Sequence, residues 1–244
     1  MRLVLLVCLL AGCQQLFGLD DPRPLASDDA STAADGTSIV DAGQFATCSM
    51  DATLVACFDF NGIPIDSVGN SLFAANVSFA TGQEGQAGLF SSASKLTLND
   101  SARLDVAAVT TQAWLYPDAL PATGTRAGIW DTDGQYGMFI LAGGVLNCTG
   151  GGSASSLMTN AAISAGTWSH VACTNDGMTI RAYINGVLAG SLSTLPLMTS
   201  GTTGAEVGGN APDMLDRFIG RIDLLRVYSV ARSAAQVCAD ARCL

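Results

Sequence analysis

Residues 167–186, TWSHVACTNDGMTIRAYING, decide the fold because they contain two short runs in which apolar and polar side chains alternate. Such alternation predicts β-strands, since successive side chains of a strand point to opposite faces. Asn175-Asp176-Gly177 separates the two runs, and Asn185-Gly186 after the second supplies the positive φ angles of a type I′ hairpin turn. These residues therefore predict a β-meander that continues into a third strand.

Similar runs recur through residues 48–244, and Gly-rich turns separate them. The 27 glycines and a charged fraction of 13% argue against long helices. Many short strands at close spacing are typical of an all-β domain built as a two-sheet antiparallel sandwich, or jelly roll. The predicted strands are 54–60, 72–79, 95–98, 110–116, 126–130, 136–141, 167–174, 178–184, 187–192 and 218–228.

Several segments form an ordered series: CFDFNG at 57–62, DSVGN at 66–70, GQEGQAGLF at 82–90, TTQAWLYP at 110–117, GTWSHVACTNDG at 166–177 and FIGRIDLLRVYSVARSAAQV at 218–237. In this order they resemble the laminin-G-like (concanavalin A-like) jelly-roll domains. The resemblance implies that the first and last strands are neighbours. It does not identify a ligand, because this fold occurs in lectins, adhesion modules, spacers and glycosidases. Leu224 departs from the family, in which an acidic residue commonly stands at that position.

The N-terminus has the pattern of an export signal. Met1-Arg2 is followed by the apolar run 3–10, which is too short to span a bilayer. Residues 10–13, LAGC, resemble a bacterial lipobox, which implies a signal peptide at 1–12 and a lipid-modified Cys13 at the start of the mature protein. Gln14 after that cysteine favours the outer membrane. The alternative is an ordinary signal peptide with an incidental cysteine.

Residues 13–47 are predicted to be a flexible acidic linker that follows the lipidated Cys13. They contain six aspartates and one arginine among small residues, with too little apolar surface to fold. The formal net charge of the chain is −10, and its single lysine leaves no basic patch for nucleic acid. The partners left open are the membrane, through the lipid anchor, and a glycan or cell-surface protein.

Six cysteines follow the predicted signal peptide and Cys13, and an even number of cysteines in an exported chain predicts disulfide bonds. Cys148 and Cys173 lie in strand-like stretches that we expect to be neighbours in one sheet, which favours their pairing. A helix over 233–243 would separate Cys238 and Cys243 by about 7.5 Å along its axis, beyond the usual disulfide distance. That separation favours a cross-link from this pair to Cys48 and Cys57, but local pairs stay open if the helix ends early. No Cys-x-x-Cys pair or histidine cluster predicts a zinc site.

The first candidate ligand site is the segment 130–136, WDTDGQY, which joins two predicted strands. Sugar rings stack on aromatic side chains such as Trp130 and Tyr136, while Asp131, Asp133 and Gln135 offer groups that hold hydroxyls. Loops on a rigid scaffold often have binding roles. The structural alternative is a hairpin loop with Trp130 half-buried, while Trp114 and Trp168 are expected to pack in the core.

Catalysis is not expected. Glycosidases need two carboxylates that flank the scissile bond, and the only glutamates, Glu84 and Glu206, lie in Gly-rich segments predicted to be loops. The Glu-x-Asp-x-x-Glu strand motif of concanavalin-like glucanases is absent. An Asp- and Gly-rich turn accounts for Asp131 and Asp133, and His170 has no Gly-x-Ser-x-Gly nucleophile elbow to act with.

The family resemblance also implies one structural calcium ion, which takes carboxylate and carbonyl oxygens. If the first and last strands pair, Asp59 and Asp223 are expected to converge at one edge, with Asp66 as the alternative partner. Solvated strand aspartates would give the same sequence. Taken together, the sequence predicts a lipid-anchored, non-catalytic binding module for glycan or surface protein. The alternatives are a structural or adhesive envelope lipoprotein without a discrete pocket and, third, a glucanase-type glycosidase.

Overall fold

The computed structural model describes Cys48 and residues 51–151, 155–213 and 215–243. The predicted signal peptide, Cys13 and the acidic linker lie outside the described residues. Their boundaries stay predictions. Within the described ranges, no helix combines the length and apolar character that crossing a bilayer requires.

The described residues form fifteen strands and one short α-helix, in the following order: β1 (Leu54–Phe58), β2 (Leu72–Ala75), β3 (Ser78–Thr81), β4 (Gln86–Phe90), β5 (Lys95–Leu98), β6 (Val109–Pro117), β7 (Arg126–Thr132), β8 (Tyr136–Leu141), β9 (Val145–Gly150), β10 (Ser156–Ala162), β11 (Ser169–Asn175), β12 (Thr179–Ile184), β13 (Val187–Ser193), β14 (Ala205–Val207), β15 (Gly220–Tyr228) and α1 (Ala234–Asp240). A single 3₁₀ turn, Ala142–Gly144, lies between β8 and β9.

The strands form two antiparallel sheets, as predicted. Sheet I has the order β13-β12-β11-β6-β15-β4-β3, and β1 also pairs with β15. Sheet II has the order β10-β9-β8-β7-β14-β5-β2. The predicted strand 72–79 is in fact two strands, because the chain leaves sheet II after β2 and enters sheet I at β3, with Asn76 between them at φ 54°.

The β-meander of residues 167–186 is confirmed. β11 pairs with β12, and β12 with β13, all antiparallel. Asn185 and Gly186 have φ angles of 49° and 76°, which are the left-handed values that a type I′ turn requires. Without a Cβ, glycine adopts this conformation at little cost.

The first and last strands are neighbours, as the resemblance implied. Phe58 of β1 lies opposite Leu225 of β15. One edge of β15 pairs with β4 through residues 220–222 and with β1 through residues 225–228. Leu224, with a φ of 48°, lies between these two pairings. The hydrophobic core lies between the two sheets and includes Phe58, Leu115 and Trp130.

The structure joins Cys148 to Cys173, the predicted pair, but the expected reason was wrong. Cys148 is in β9 of sheet II and Cys173 is in β11 of sheet I, so this disulfide links the two sheets rather than neighbouring strands of one sheet. Their Cα atoms are 5.6 Å apart.

The predicted cross-link between the ends of the domain is wrong, because both terminal pairs are local. Cys48 bonds to Cys57, and Cys238 bonds to Cys243 with a Cα separation of 5.2 Å. The helix α1 ends at Asp240, and Arg242 then adopts a φ of 56°. The chain therefore turns back, and the N–H of Cys243 donates to the carbonyl of Cys238.

The helix α1 covers part of the outer face of sheet I. Ser233 and Gln236 form a capping box at its N-terminus. Val237 packs on Ala172 and Tyr183, which explains why the Tyr183 side of β12 is buried although it points away from the core.

Candidate binding site

A β-bulge in β7 controls which side chains face outward on sheet II. The pairing of β7 with β8 shifts register between Gly128 and Trp130. A bulge re-aims the side chains that follow it. Ile129 and Trp130 therefore both enter the core, and Asp131 points outward. Trp130 has no exposed surface, so its predicted role as an exposed stacking residue is wrong.

The outward position of Asp131 completes a row of side chains across all of sheet II. Strand register aligns one residue of each strand, in the order Phe73, Thr97, Glu206, Asp131, Gly137, Thr149 and Ser156. Neighbouring strands are about 4.8 Å apart, so the row spans on the order of 29 Å. We call these residues the sheet II row. It places two carboxylates at its centre and hydroxyl groups on both sides.

Gly137 is closely packed by its neighbours in the sheet II row. A Cβ at this position would lie 2.7 Å from Oδ1 of Asp131 and 2.9 Å from Oγ1 of Thr149. Any larger residue would therefore displace the Asp131, Phe139 or Thr149 side chain. Directly opposite residues of antiparallel strands have Cβ atoms about 5 Å apart, so Asp131 and Glu206 are close neighbours.

A cavity of about 310 Å³ opens over this part of the row. Most of the residues that line it are polar: Arg126, Asp131, Asp133, Gly134, Gln135, Tyr136, Phe139, Asn147, Thr149, Gly150, Ser156 and Asn210. A second cavity of about 530 Å³ shares Arg126 and is bordered by Leu141, Val145 and Met158. We call the two together the sheet II groove. Arg126 therefore stands between a polar compartment and a more apolar one.

Hydrogen bonds fix the polar walls of the groove. The Nε of Arg126 donates to Asp216 at 2.7 Å, and its guanidinium stacks 4.1 Å from the centre of the Phe139 ring. The side-chain amide of Asn147 donates to the hydroxyl of Ser156 at 2.7 Å. These groups are held in place before a ligand arrives, which lowers the entropy lost on binding.

Asp131 is the most perturbed carboxyl group of the groove. Burial raises its pKa to about 7, although the backbone N–H of Ala211 donates to Oδ2 at 2.9 Å and the Arg126 charge opposes the rise. The charges of Asp133 and Glu206 raise it further. The exposed fractions of Asp131 and Glu206 are 7% and 3%. This pair thus offers a hydrogen-bonding surface with very little open area.

The other predicted ligand residues have different environments. Asp133 is exposed at the turn between β7 and β8. Gln135 is buried and donates to Asp105 at 2.7 Å, with its Oε1 unpartnered among the described residues. Tyr136 belongs to the core, its hydroxyl donates to the carbonyl of Leu104, and burial raises its pKa. Tyr136 therefore cannot stack on a sugar, although it borders the polar cavity together with Asp133 and Gln135.

The aspartates predicted to bind calcium already have partners within the protein. Asp66 accepts from the backbone N–H groups of Cys57, Val68 and Asn70, and so anchors a loop. Asp223 accepts from the N–H groups of residues 83, 84 and 224, while burial raises its pKa to about 6. Donors aimed at a carboxylate oppose a cation there. Asp59 groups only with Cys48 and Cys57, which form a disulfide. Calcium stays a prediction without geometric support from the described residues.

Two expectations about catalysis have different outcomes. Glu206 lies in the short strand β14 rather than in a loop, and this is why it meets Asp131. His170 is buried 5.4 Å from Trp114, ring centre to ring centre. Burial, with the charges of Arg226 and Arg242, lowers its pKa to about 3. Its neutral, buried ring has the structural role that the sequence indicated.

Sequence reasoning missed several of the residues that form the groove. Arg126, Asn147 and Asn210 come from separate strands and loops, so no local motif unites them. A signal for Glu206 existed in its apolar neighbours Ala205 and Val207, which give the alternation of a short strand.

A family model describing the concanavalin A-like lectin/glucanases superfamily matches residues 90–238, which is more than half of the chain. The chain belongs to this superfamily. Its members range from lectins to glucanases by their common name, so membership fixes the fold and leaves the activity to the site. No curated protein matches the chain in sequence.

Solved structures with the same fold include domain 4 of AbnA, a GH43 extracellular arabinanase from Geobacillus stearothermophilus, in complex with arabinotriose. The TM-score is 0.63 at 24% identity, covering 78% of this chain and 98% of that one. The binding domain of Paraclostridial Mosquitocidal Protein 1 has a TM-score of 0.63 at 18% identity, covering 77% of this chain and 51% of that one.

A third structure concerns botulinum neurotoxin type C, whose cell entry is described as dependent upon interaction with two ganglioside molecules. Its TM-score is 0.57 at 13% identity, covering 77% of this chain and 50% of that one. The chain thus spans about half the length of these toxin structures. At such identities the likeness establishes a shared fold.

Proposed function

We propose that this protein is a non-catalytic binding module for glycans and that the sheet II groove is its binding site. The observation that supports this most is the sheet II row, in which carboxylates and hydroxyls lie side by side across the sheet. Glycans present many hydroxyl groups, and fixed carboxylate, amide and hydroxyl groups are suitable partners for them.

Comparisons of the fold support a glycan as the ligand class. Domain 4 of AbnA was solved with arabinotriose, and the neurotoxin is described as interacting with gangliosides. Both are saccharide-containing ligands. The identity of the sugar for this chain is a question for screening.

The glycan proposal is tested with the full chain on a glycan array, followed by isothermal titration of each binder. Asp133→Ala removes an exposed carboxylate at the rim of the polar cavity, and Asn147→Ala removes an amide from its wall. We expect each to weaken binding at least fivefold, whereas Asn160→Ala, on β10 but outside both cavities, is the matched control. Absence of glycan binding, with a specific envelope protein recovered instead, would favour the structural or adhesive role.

We further propose that the chain is exported and anchored by lipid on Cys13, with the outer membrane favoured. Three disulfides support an oxidising, extracytoplasmic compartment. Metabolic labelling with a palmitate analogue should mark the wild-type chain and not Cys13→Ala. Label retained by Cys13→Ala would contradict the anchor.

A glycosidase is the second candidate, because Asp131 and Glu206 form a neighbouring carboxylate pair with one raised pKa. Retaining enzymes use two carboxyl groups at about 5–5.5 Å. The small exposed fractions of both groups favour binding over catalysis. Hydrolysis of an array-positive glycan that is lost in both Asp131→Asn and Glu206→Gln would establish the enzyme instead.

A further inference from the structure

The outer face of sheet I has a second row of partly exposed side chains, separate from the sheet II groove. Register aligns Leu89 of β4, Arg221 of β15 and Tyr116 of β6, and Trp168 continues the row beside Tyr116. We call these four residues the sheet I row. Three strands and the residue just before β11, at about 4.8 Å spacing, give it a width of about 14 Å, which suits a short oligosaccharide.

The helix α1 does not pack on this row. It packs at Ala172, and its Asp240 accepts from Gln112 at 2.8 Å. Tyr116 and Trp168 each lie four residues farther along their strands, about 13 Å away. The row is therefore the uncovered end of this face.

Aromatic side chains form the centre of the row. The Tyr116 and Trp168 ring centres are 5.6 Å apart at an interplanar angle of 60°. Trp168 is half-buried, whereas Trp114 and Trp130 are buried, so Trp168 is the tryptophan with a usable surface. Ile219 adds an apolar side chain with 46% exposure at the β15 end. Such a surface suits the apolar face of a sugar ring.

Arg221, the positively charged residue of the sheet I row, has no acidic partner among the described residues. Arg221 stacks 4.7 Å from the centre of the Tyr116 ring, forms no ion pair there, and its buried Nε has no hydrogen-bond partner. Farther along β15, buried Arg226 also forms no ion pair with a described residue. A guanidinium matches a carboxylate with two parallel hydrogen bonds.

Nearby carboxylates have other partners. Glu84 pairs with Arg242, and Asp223 accepts three backbone N–H groups. Asp118 is held beside Ile219 by a backbone hydrogen bond and forms no ion pair with Arg221. In a chain of formal net charge −10, Arg221 is thus a local positive site without a counter-charge among the described residues.

We propose that the sheet I row is a second binding site, specific for an acidic saccharide. The sugar ring stacks on Trp168, and its carboxylate accepts hydrogen bonds from the Arg221 guanidinium, which stays stacked on Tyr116. A uronic acid joins these two features in one residue, which a neutral sugar does not. This site is independent of the sheet II groove.

The test is a titration of the full chain with trigalacturonate and with its methyl ester, which has the same rings without charge. Heat of binding and tryptophan fluorescence are both recorded, since a ligand on Trp168 changes its emission. We expect at least tenfold tighter binding of the acid. Arg221→Gln should remove that preference, and Trp168→Ala should weaken binding of both probes.

Arg181→Gln is the matched control, because Arg181 lies on the same sheet and already pairs with Asp176. It and the sheet II variant Asp133→Ala should leave trigalacturonate binding unchanged, so that failure at one site is distinguishable from failure at the other. Arg221→Lys keeps the charge and serves if Arg221→Gln does not fold, with an intermediate loss expected. Equal affinity for both probes, no binding of either, or an unchanged preference in folded Arg221 variants would overturn the proposal.

Discussion

Replacing Asp131 by asparagine should stabilise the protein at alkaline pH. In the folded state burial raises the Asp131 pKa from 3.8 to about 7, so the folded protein binds more protons than the unfolded chain between these values. The free energy of unfolding must then fall as the pH rises through this window. About three pKa units at 1.36 kcal/mol each give a penalty of about 4 kcal/mol above pH 7. Asparagine keeps an oxygen for the Ala211 N–H and has no charge.

The assay is urea unfolding of the full chain, with disulfides intact, followed by tryptophan fluorescence at pH 4, 6 and 8. Asp131→Asn should exceed the wild type by up to about 4 kcal/mol at pH 8 and by little at pH 4. Asp133→Asn, an exposed neighbour, is the control and should be neutral. The reasoning would be refuted if Asp131→Asn were destabilising at pH 8, or if its gain were the same at pH 4.

Three further predictions concern acid stability, the disulfide between the sheets and the packing around Gly137. Burial lowers the pKa of His170 from 6.5 to about 3, so the unfolded chain binds more protons than the folded protein between these values and the free energy of unfolding falls as the pH drops below 6.5. In urea unfolding, the wild type should lose about 3 kcal/mol relative to His170→Gln between pH 7 and 4. A difference between the two proteins that does not change with pH would contradict this. A double alanine variant without the Cys148–Cys173 bond should have a free energy of unfolding about 3.5 kcal/mol lower in guanidinium titrations, because the bond closes a loop of sequence separation 25 and so restricts the unfolded chain. A loss under about 1 kcal/mol would be inconsistent with that loop entropy. Gly137→Ala puts a Cβ 2.7 Å from both Oδ1 of Asp131 and the Phe139 ring, so it should lower the free energy of unfolding by about 1–3 kcal/mol in urea titrations. An unchanged free energy of unfolding would contradict the close packing at this position.

Sequence alternation predicted the sheets because it reflects burial on one face of each strand. The meander at 167–186 was accessible in this way, whereas the contact between the first and last strands was implied by the family resemblance. The bulge before Trp130 was not, because one extra residue inverts the two faces and leaves no mark in composition. Trp130 was expected outside because it begins the segment predicted to bind a ligand, whereas the bulge turns it into the core and places Asp131 in the row.

The sequence also could not show which residues lie opposite one another on neighbouring strands. Glu206 meets Asp131 only through the register of β14 with β7, and a Gly-rich segment concealed the three-residue strand. Cys148 and Cys173 were paired correctly from their strand-like surroundings, whereas their assignment to one sheet needed the topology. Periodicity encodes burial along one strand, and it does not encode which strands lie opposite one another.

Chemical-shift mapping of the backbone amides, with the tightest glycan from the array, tests the central claim most directly. Binding in the sheet II groove predicts the largest shifts at Asp133, Gly137 and Asn147, with smaller changes elsewhere. Shifts that avoid this face of sheet II, or saturating glycan that produces none, would contradict the account.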